Sequence, residues 1–107
     1  MAYNVIITEV AKRDLLNTLD YIDNILKNPD AADKLLNEFI KKSNGLALFP
    51  EAPPIINDPA LSEFNVRYVK VMNYLIFYAV RNSNVYIVRF LYKKTDWNTV
   101  LKKSYDL

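Results

Sequence analysis

The thirty residues from Asn65 to Lys94 constrain the fold of this chain more than any other stretch. They read NVRYVKV, MN, YLIFYAVR, NSN and VYIVRFLYKK, three β-branched and aromatic runs separated by short Asn-containing breaks. That pattern predicts three consecutive antiparallel strands joined as two hairpins in series. Side chains alternate along a strand, so Tyr74, Ile76, Tyr78 and Val80 share one face and Leu75, Phe77, Ala79 and Arg81 share the other. Both faces are mostly apolar. Such a strand belongs in the middle of its sheet, with one face covered and the other partly buried or used for binding.

The rest of the chain reads as the cover for that sheet. Tyr3 to Thr8 is a short β-rich run, and Thr8 is a good N-cap for a following helix. From Glu9 to Lys27 the residues Ala11, Leu15, Leu19, Ile22 and Leu26 recur at helical spacing, with Leu16 and Ile25 widening the stripe. Asn28-Pro29-Asp30 then supplies a cap, a first-turn proline and an acid suited to a helix N-terminus. A second helix is expected from Pro29 to about Leu48, with Ala32, Leu35, Leu36, Phe39, Ile40 and Leu46 inward. So short a connection predicts an antiparallel helix hairpin. Gly45, the only glycine, marks a frayed end or a close approach. Phe49 to Phe64 holds four of the five prolines and reads as a loop, with a helical turn at its end. After the strands, Thr95 is a candidate cap for a short helix carrying Trp97, Val100 and Leu101.

The order is therefore β-α-α-β-β-β with a short C-terminal helix, an α+β class in two layers. Residues 1–107 form one domain, in which the helix hairpin packs on one face of a twisted antiparallel sheet. The other face is left concave and partly open, and function is expected there.

Composition removes several chemistries. The chain has no cysteine, so disulfides and thiolate metal sites are out. It has no histidine either, which removes the usual general base, the usual metal ligand and every Ser-His or Cys-His nucleophile. No carboxylate pair, Gly-rich phosphate loop or metal-ligand cluster is visible, so neither a cofactor nor a metal is expected. The start does not read as a signal peptide and no run approaches the roughly 20 apolar residues of a membrane span. The expectation is a soluble cytoplasmic protein with no membrane association.

Charge is segregated. Residues 66–107 hold eight Lys or Arg (Arg67, Lys70, Arg81, Arg89, Lys93, Lys94, Lys102, Lys103) against two acids, whereas residues 1–65 hold six against ten. A basic sheet half joined to an acidic helical half has a directional field that steers a polyanion or an acidic partner toward the sheet. The plainer alternative is that these cations solubilise edge strands and the tail.

The opening YNVIITEVAKRDL, the helix-break-helix LDYIDNILKNPDAADKLLNEF, the LFPEAPP stretch and VRYVKVMNYLIFYAV followed by VYIVRFLYKKTDW together resemble the RelE/ParE superfamily of toxins from bacterial type II toxin-antitoxin modules. The likeness covers nearly the whole chain. It implies one fold with two outcomes. RelE-like members cleave mRNA on the ribosome, and ParE-like members inhibit DNA gyrase. The RelE branch usually places an arginine after the aromatic in the strand here written NYLIFY, where this chain has Leu75. The general look of RYVKVMNYLIFY and RFLYKKTDW is similar to the ParE side, although Tyr92 and Thr95 stand where that side often has a histidine and an arginine. The resemblance also implies a cognate acidic antitoxin, and an assembly that is a homodimer or a hetero-oligomer with it.

Two classes of mechanism follow. A non-enzymatic toxin would bind an essential machine such as gyrase through Arg67, Lys70, Arg89, Lys93 and Lys94. A metal-independent endoribonuclease acting on the ribosome and mRNA would need Arg67 and Arg89 to neutralise phosphate, and Tyr92, Tyr68 or Tyr78 to move protons or stack on bases. Each candidate has a structural alternative. Tyr74 and Tyr78 in mid-strand suit a core, Arg89 suits an ion pair with Asp96 or with an acid of the helix hairpin, and Trp97 suits an anchor for the last helix. Arg67 and Lys70 lie on opposite faces, so only one of them belongs to a concave site. A third reading is a family member that keeps only its partner-binding surface.

Overall fold

A computed structural model describes residues 2–105. The chain runs β1 (Asn4–Ile7), α1 (Glu9–Asp20), a π-helical turn (Tyr21–Ile25), α2 (Pro29–Gly45), a 3-10 turn (Ser62–Phe64), β2 (Val66–Val71), β3 (Tyr74–Arg81), β4 (Asn84–Tyr92) and α3 (Trp97–Ser104). The sheet order is β1-β4-β3-β2. The two hairpins are antiparallel as expected, and β3 lies inside the sheet. β1 joins β4 in parallel, which makes the sheet mixed. The helix between β1 and the hairpins carries the chain back across the sheet and so permits that direction.

Local chemistry sets most boundaries. The Thr8 hydroxyl accepts from Ala11 N and the Asn28 side chain accepts from Ala31 N, both as expected of N-caps. The third helix is capped by Asp96 rather than Thr95: its carboxylate accepts from Thr99 N at 3.4 Å and from the Thr99 hydroxyl at 2.7 Å. A charged acceptor satisfies the first-turn donors better than a hydroxyl does. α2 ends at Gly45, three residues short of the expected Leu48. A Cβ added at Gly45 would meet nothing within 4 Å, so the glycine marks a helix end and not a close approach.

Two apolar clusters sandwich the sheet. Under α1 and α2, Leu15, Ile22, Leu35 and Phe39 are buried with Val71, Ile76, Tyr78, Val85, Ile87 and Phe90, while Leu19 and Leu36 are half-buried against them. On the opposite face, Leu75 and Phe77 are buried with Ile56, Leu61, Val66 and Leu101. The two sets of β3 side chains therefore divide as alternation predicts.

Several residues assigned to the inward stripe are instead exposed: Leu16, Ile25, Leu26 and Ile40. For Ile25 and Leu26 the cause is the π turn. It adds one residue to the helical repeat, so everything after Tyr21 is rotated relative to a regular helix, and Ile22 is the last residue to reach the core. Leu16 and Ile40 sit one step beyond the buried positions Leu15 and Phe39 on their helices, past the edge of what a four-stranded sheet covers.

One carboxylate completes the sheet edge. The register runs Phe77 to Arg89 and Tyr78 to Ile87, which leaves Val88 unpaired in a bulge on β4. β1 stops here: the Thr8 N–H donates to Ile87 O at 3.1 Å and the next residues turn into α1. Past that point Asp14 of α1 takes the place of a strand. It accepts from Phe90 N at 3.1 Å and from Arg89 Nε and Nη2 at 2.7 and 3.0 Å. Among the described residues no helix is long and apolar enough to cross a membrane.

Two outcomes are expected in denaturant unfolding. Phe39 is 1% exposed and meets Phe90 edge-on at 5.1 Å, so Phe39→Ala costs about 3–5 kcal/mol. Asp14→Ala leaves a guanidinium and a backbone N–H short of an acceptor. Because the pair is 15–20% exposed at the side chains, we expect about 2–3 kcal/mol, below the loss for a fully buried pair. An Asp14→Ala protein as stable as the parent would show that the bulge needs no external acceptor.

Candidate target-binding site

Among the described residues three ion pairs stitch the basic half of the chain to the acidic half, and they consume both arginines named as site candidates. Arg89 pairs with Asp14, not with Asp96, and its Nη1 also donates to the Ser104 hydroxyl at 3.2 Å. Arg67 donates to Glu51 O at 3.1 Å and to Pro53 O, with the Glu51 carboxylate 3.9 Å away. Lys102 lies 3.3 Å from Asp58. Arg67 sits in register with Tyr78, whose hydroxyl donates to Pro50 O at 2.7 Å, so the two side chains fasten the loop at residues 50–53 to the sheet. Burial pushes the Tyr78 phenol up to about 12, which makes it a neutral donor and unsuited to proton transfer near neutral pH.

The remaining candidates gather at one end of the sheet. β2 and β3 are joined by the two-residue turn Met72-Asn73, and the Lys93 N–H donates to Asn73 O at 2.9 Å. Tyr74 stands opposite Tyr92 in the ladder. Lys70, Tyr92, Lys93 and Lys94 are thereby brought to this end, all exposed, and the three lysines form no ion pair among the described residues. Met72 holds a left-handed φ of 55°, which costs a side chain with a Cβ about 1–2 kcal/mol.

At the same end of the sheet, on the helix side, lies a cavity of about 590 Å³ lined by Asn17, Thr18, Tyr21, Leu26, Tyr74 and Tyr92. The Tyr74 ring stacks on Phe90 at 5.3 Å and meets Tyr92 at 5.6 Å. Burial raises the pKa of Tyr74, and the neighbouring Tyr92 and Tyr21 hydroxyls raise it further, so the phenol stays protonated. Among the described residues no carboxylate, lysine or arginine lines the cavity. The arrangement offers aromatic faces, neutral polar groups and adjacent cations, which suits holding a partner and supplies no general base. Tyr21, Leu26 and Tyr74 were not legible as site residues. Their convergence depends on the π turn, and its one-residue insertion leaves no mark in the sequence pattern.

The face expected to be concave and open is largely roofed. α3 lays Trp97 on Phe77 at 5.3 Å and on Tyr68 at 6.0 Å, and Leu101 is fully buried there. Leu75, in the position where the RelE branch places arginine, is 7% exposed beneath this cover. Asp58 holds the roof. Its carboxylate accepts from the Asn98 side chain at 2.9 Å and from Ala60 and Leu61 N–H at 2.9 and 3.2 Å. The Asn98 bond foremost, then the backbone donors and Lys102, bring its pKa down to about 2 against the opposing effect of desolvation. No group of three or more Asp, Glu, His or Cys suited to a metal occurs among the described residues.

A family model described as the ParE toxin of the type II toxin-antitoxin system, parDE, matches residues 5–97. A solved structure described as the chromosomal ParDE TA system from P. aeruginosa superimposes with a TM-score of 0.68 at 17% identity, covering 85% of this chain and 96% of that one. At that identity the likeness speaks for the fold. No curated protein matches the sequence.

The Asp58 contacts give a pH dependence of defined sign. The folded-state pKa lies below the ordinary value of 3.8, so the stabilisation is fully present above about pH 4 and is lost as the pH falls toward 2. Trp97, the only tryptophan, reports on α3 by fluorescence. We expect its emission to shift between pH 4 and 2 in the parent protein, and this segment of the titration to flatten in Asp58→Asn.

Proposed function

This chain belongs to the ParE toxin family of type II toxin-antitoxin systems, and on that premise we propose that it arrests growth by binding an essential protein machine such as DNA gyrase and is neutralised by a cognate acidic antitoxin. One observation carries the choice of a binder. The two sheet arginines named as phosphate-neutralising candidates are committed to protein acceptors, Arg89 to Asp14 and Arg67 to the loop at residues 50–53, and the third, Arg81, lines a different cavity from Tyr92. The strand position that holds an arginine in RelE-like nucleases is a buried leucine. Loss of one fixed cation at a developing phosphorane costs on the order of 10²–10³ in rate. Among the described residues no arginine lines the cavity that holds Tyr92.

The contacts are then assigned to Lys70, Lys93 and Lys94 with Tyr92, where exposed cations adjoin aromatic surface. Arg67 and Arg89 act as positioning residues that hold the loop and the β4 bulge. The antitoxin recognises the same basic end through an acidic segment, since complementary charge speeds encounter and fixes orientation.

Inducible expression with parallel assays of DNA supercoiling and mRNA integrity tests this reading. We expect growth arrest with intact mRNA and impaired supercoiling, both relieved in a Lys93→Ala/Lys94→Ala double variant that keeps its fold. Cleavage of mRNA on translating ribosomes that disappears in Arg67→Ala or Arg89→Ala would overturn it in favour of an endoribonuclease.

A further inference from the structure

We propose that the free edge of β1 is a self-association surface, on which a second copy of this chain pairs its own β1 antiparallel across a two-fold axis at Ile6. The proposal concerns neither the target nor the antitoxin and stands apart from the reading above.

The ladder shows which main-chain groups are free. The Asn4 N–H donates to Ser83 O at 2.9 Å and the Thr8 N–H to Ile87 O at 3.1 Å, so the even-numbered residues of β1 face β4. The odd-numbered ones point out of the sheet. Tyr3 is covered, because its N–H donates to Ala47 O at 2.8 Å. Among the described residues nothing binds the outward N–H and C=O of Val5 and Ile7.

The two edges of the sheet are finished differently. β2, at the far edge, is guarded: the Ile56 N–H donates to Val66 O at 2.8 Å, Arg67 ties down the loop at residues 50–53, and the exposed Lys70 projects from the strand. β1 carries no charge, no proline and no bulge, the devices that keep an edge from pairing. Instead Ile6 and Ile7 are each 40% exposed, and Val10 just beyond them is 46% exposed. An uncharged apolar edge with open hydrogen-bonding groups is a template for another strand.

Register selects a second copy as the occupant. With the axis at Ile6, Val5 of one copy stands opposite Ile7 of the other in a hydrogen-bonded pair, and every free N–H and C=O on both strands finds a partner. An axis at Val5 sets Ile7 against Tyr3, whose N–H is already taken, and an axis at Ile7 sets Val5 against Glu9, which is helical. Of these axes only Ile6 leaves nothing over. It also sets Asn4 against Thr8, polar against polar, and carries Val10 of one copy to the Tyr3 end of the other. There Ala47 O holds Tyr3 and the exposed Leu48 and Phe49 follow, so apolar surface meets apolar surface. The strand has no cation to draw an acidic segment, unlike the end that bears Lys70, Lys93 and Lys94, and this favours a like strand over an acidic one.

The test follows the full chain, purified free of antitoxin, by sedimentation velocity across a dilution series, and a concentration-dependent dimer is expected. Ile7→Pro removes an outward N–H and no bond within the chain, and Ile6→Lys sets like charges face to face on the axis. Each should weaken self-association by about 30-fold or more, with circular dichroism showing the fold retained. Because the chain has no cysteine, Ile6→Cys reports the axis directly. Facing Cα atoms in a non-hydrogen-bonded antiparallel pair lie about 4.5 Å apart, within reach of a disulfide, so mild oxidation should join two copies. Ile40→Cys, comparably exposed on α2, should stay unjoined. If Ile7→Pro or Ile6→Lys loses its fold, the cross-link decides. A parent that stays monomeric up to about 1 mM would overturn the proposal, as would a dimer that survives both edge variants or that Ile6→Cys fails to link. A monomeric parent whose antitoxin binding is lost in Ile7→Pro would also overturn it, by assigning the edge to the antitoxin.

Discussion

The carboxylate of Asp14 is the interaction on which the rest of the structure depends. β4 is paired with β1 only as far as Ile87, and a bulge at Val88 then breaks its ladder. Without the Asp14 carboxylate the Phe90 N–H would lack an acceptor and the Arg89 guanidinium would keep only the Ser104 hydroxyl. Asp14 takes both. A single side chain thus ends a sheet edge, fixes the angle of α1 over β4 and sets the phase of the stripe that buries Leu15 and Ile22. The bidentate geometry matters because a guanidinium held at two nitrogens cannot swing out to solvent. Arg89 is spoken for by the architecture before any ligand arrives.

That commitment sorts the cations. A chain with eight basic residues in its second half looks from its composition like an anion-binding surface, yet Arg67, Arg89 and Lys102 face acids of the first half across short distances. The segregated charge is partly a folding device: opposite signs in the two halves draw the helices and the proline-rich loop onto the sheet. Of what is left over, Lys70, Lys93 and Lys94 gather where two strand ends meet the start of α3, beside Tyr92, while Arg81 lies at the other end of β3 and Lys103 near the end of α3. Apolar contact and charge steering are two terms that act together in protein–protein association.

The two faces of the sheet are finished by different means. The helix hairpin covers one face with a regular stripe. The other is covered by α3 and by the loop from Phe49 to Asn65, which places Ile56 and Leu61 in the core although it has no periodicity. Phe64 stacks on Tyr105 at 4.2 Å at the far edge of this cover. Asp58 joins loop to helix through Asn98 and Lys102, so the roof over Leu75 and Phe77 hangs on a few polar contacts and one tryptophan. The central strand is buried on both sides, and this is why it reads as a continuous apolar run.

By itself the sequence determined what depends on neighbours a few residues apart. The three strands and the short breaks between them, the caps at Thr8 and Asn28, the helix hairpin and the division of β3 into two faces all follow from periodicity and side-chain hydrogen bonding within a turn, and the structure has them. The likeness of NYLIFY and its surroundings to a toxin superfamily was legible for the same reason. Tertiary structure alone decided which cations are free, because Arg89 meets an acid 75 positions away and Arg67 meets carbonyls 14 and 16 positions away. It decided that β1 runs parallel, that α3 closes the expected open face, and that Tyr21, Leu26, Tyr74 and Tyr92 share one cavity. Those outcomes rest on contacts between distant segments and on one extra residue in a helical turn, and neither leaves a periodic trace in the chain.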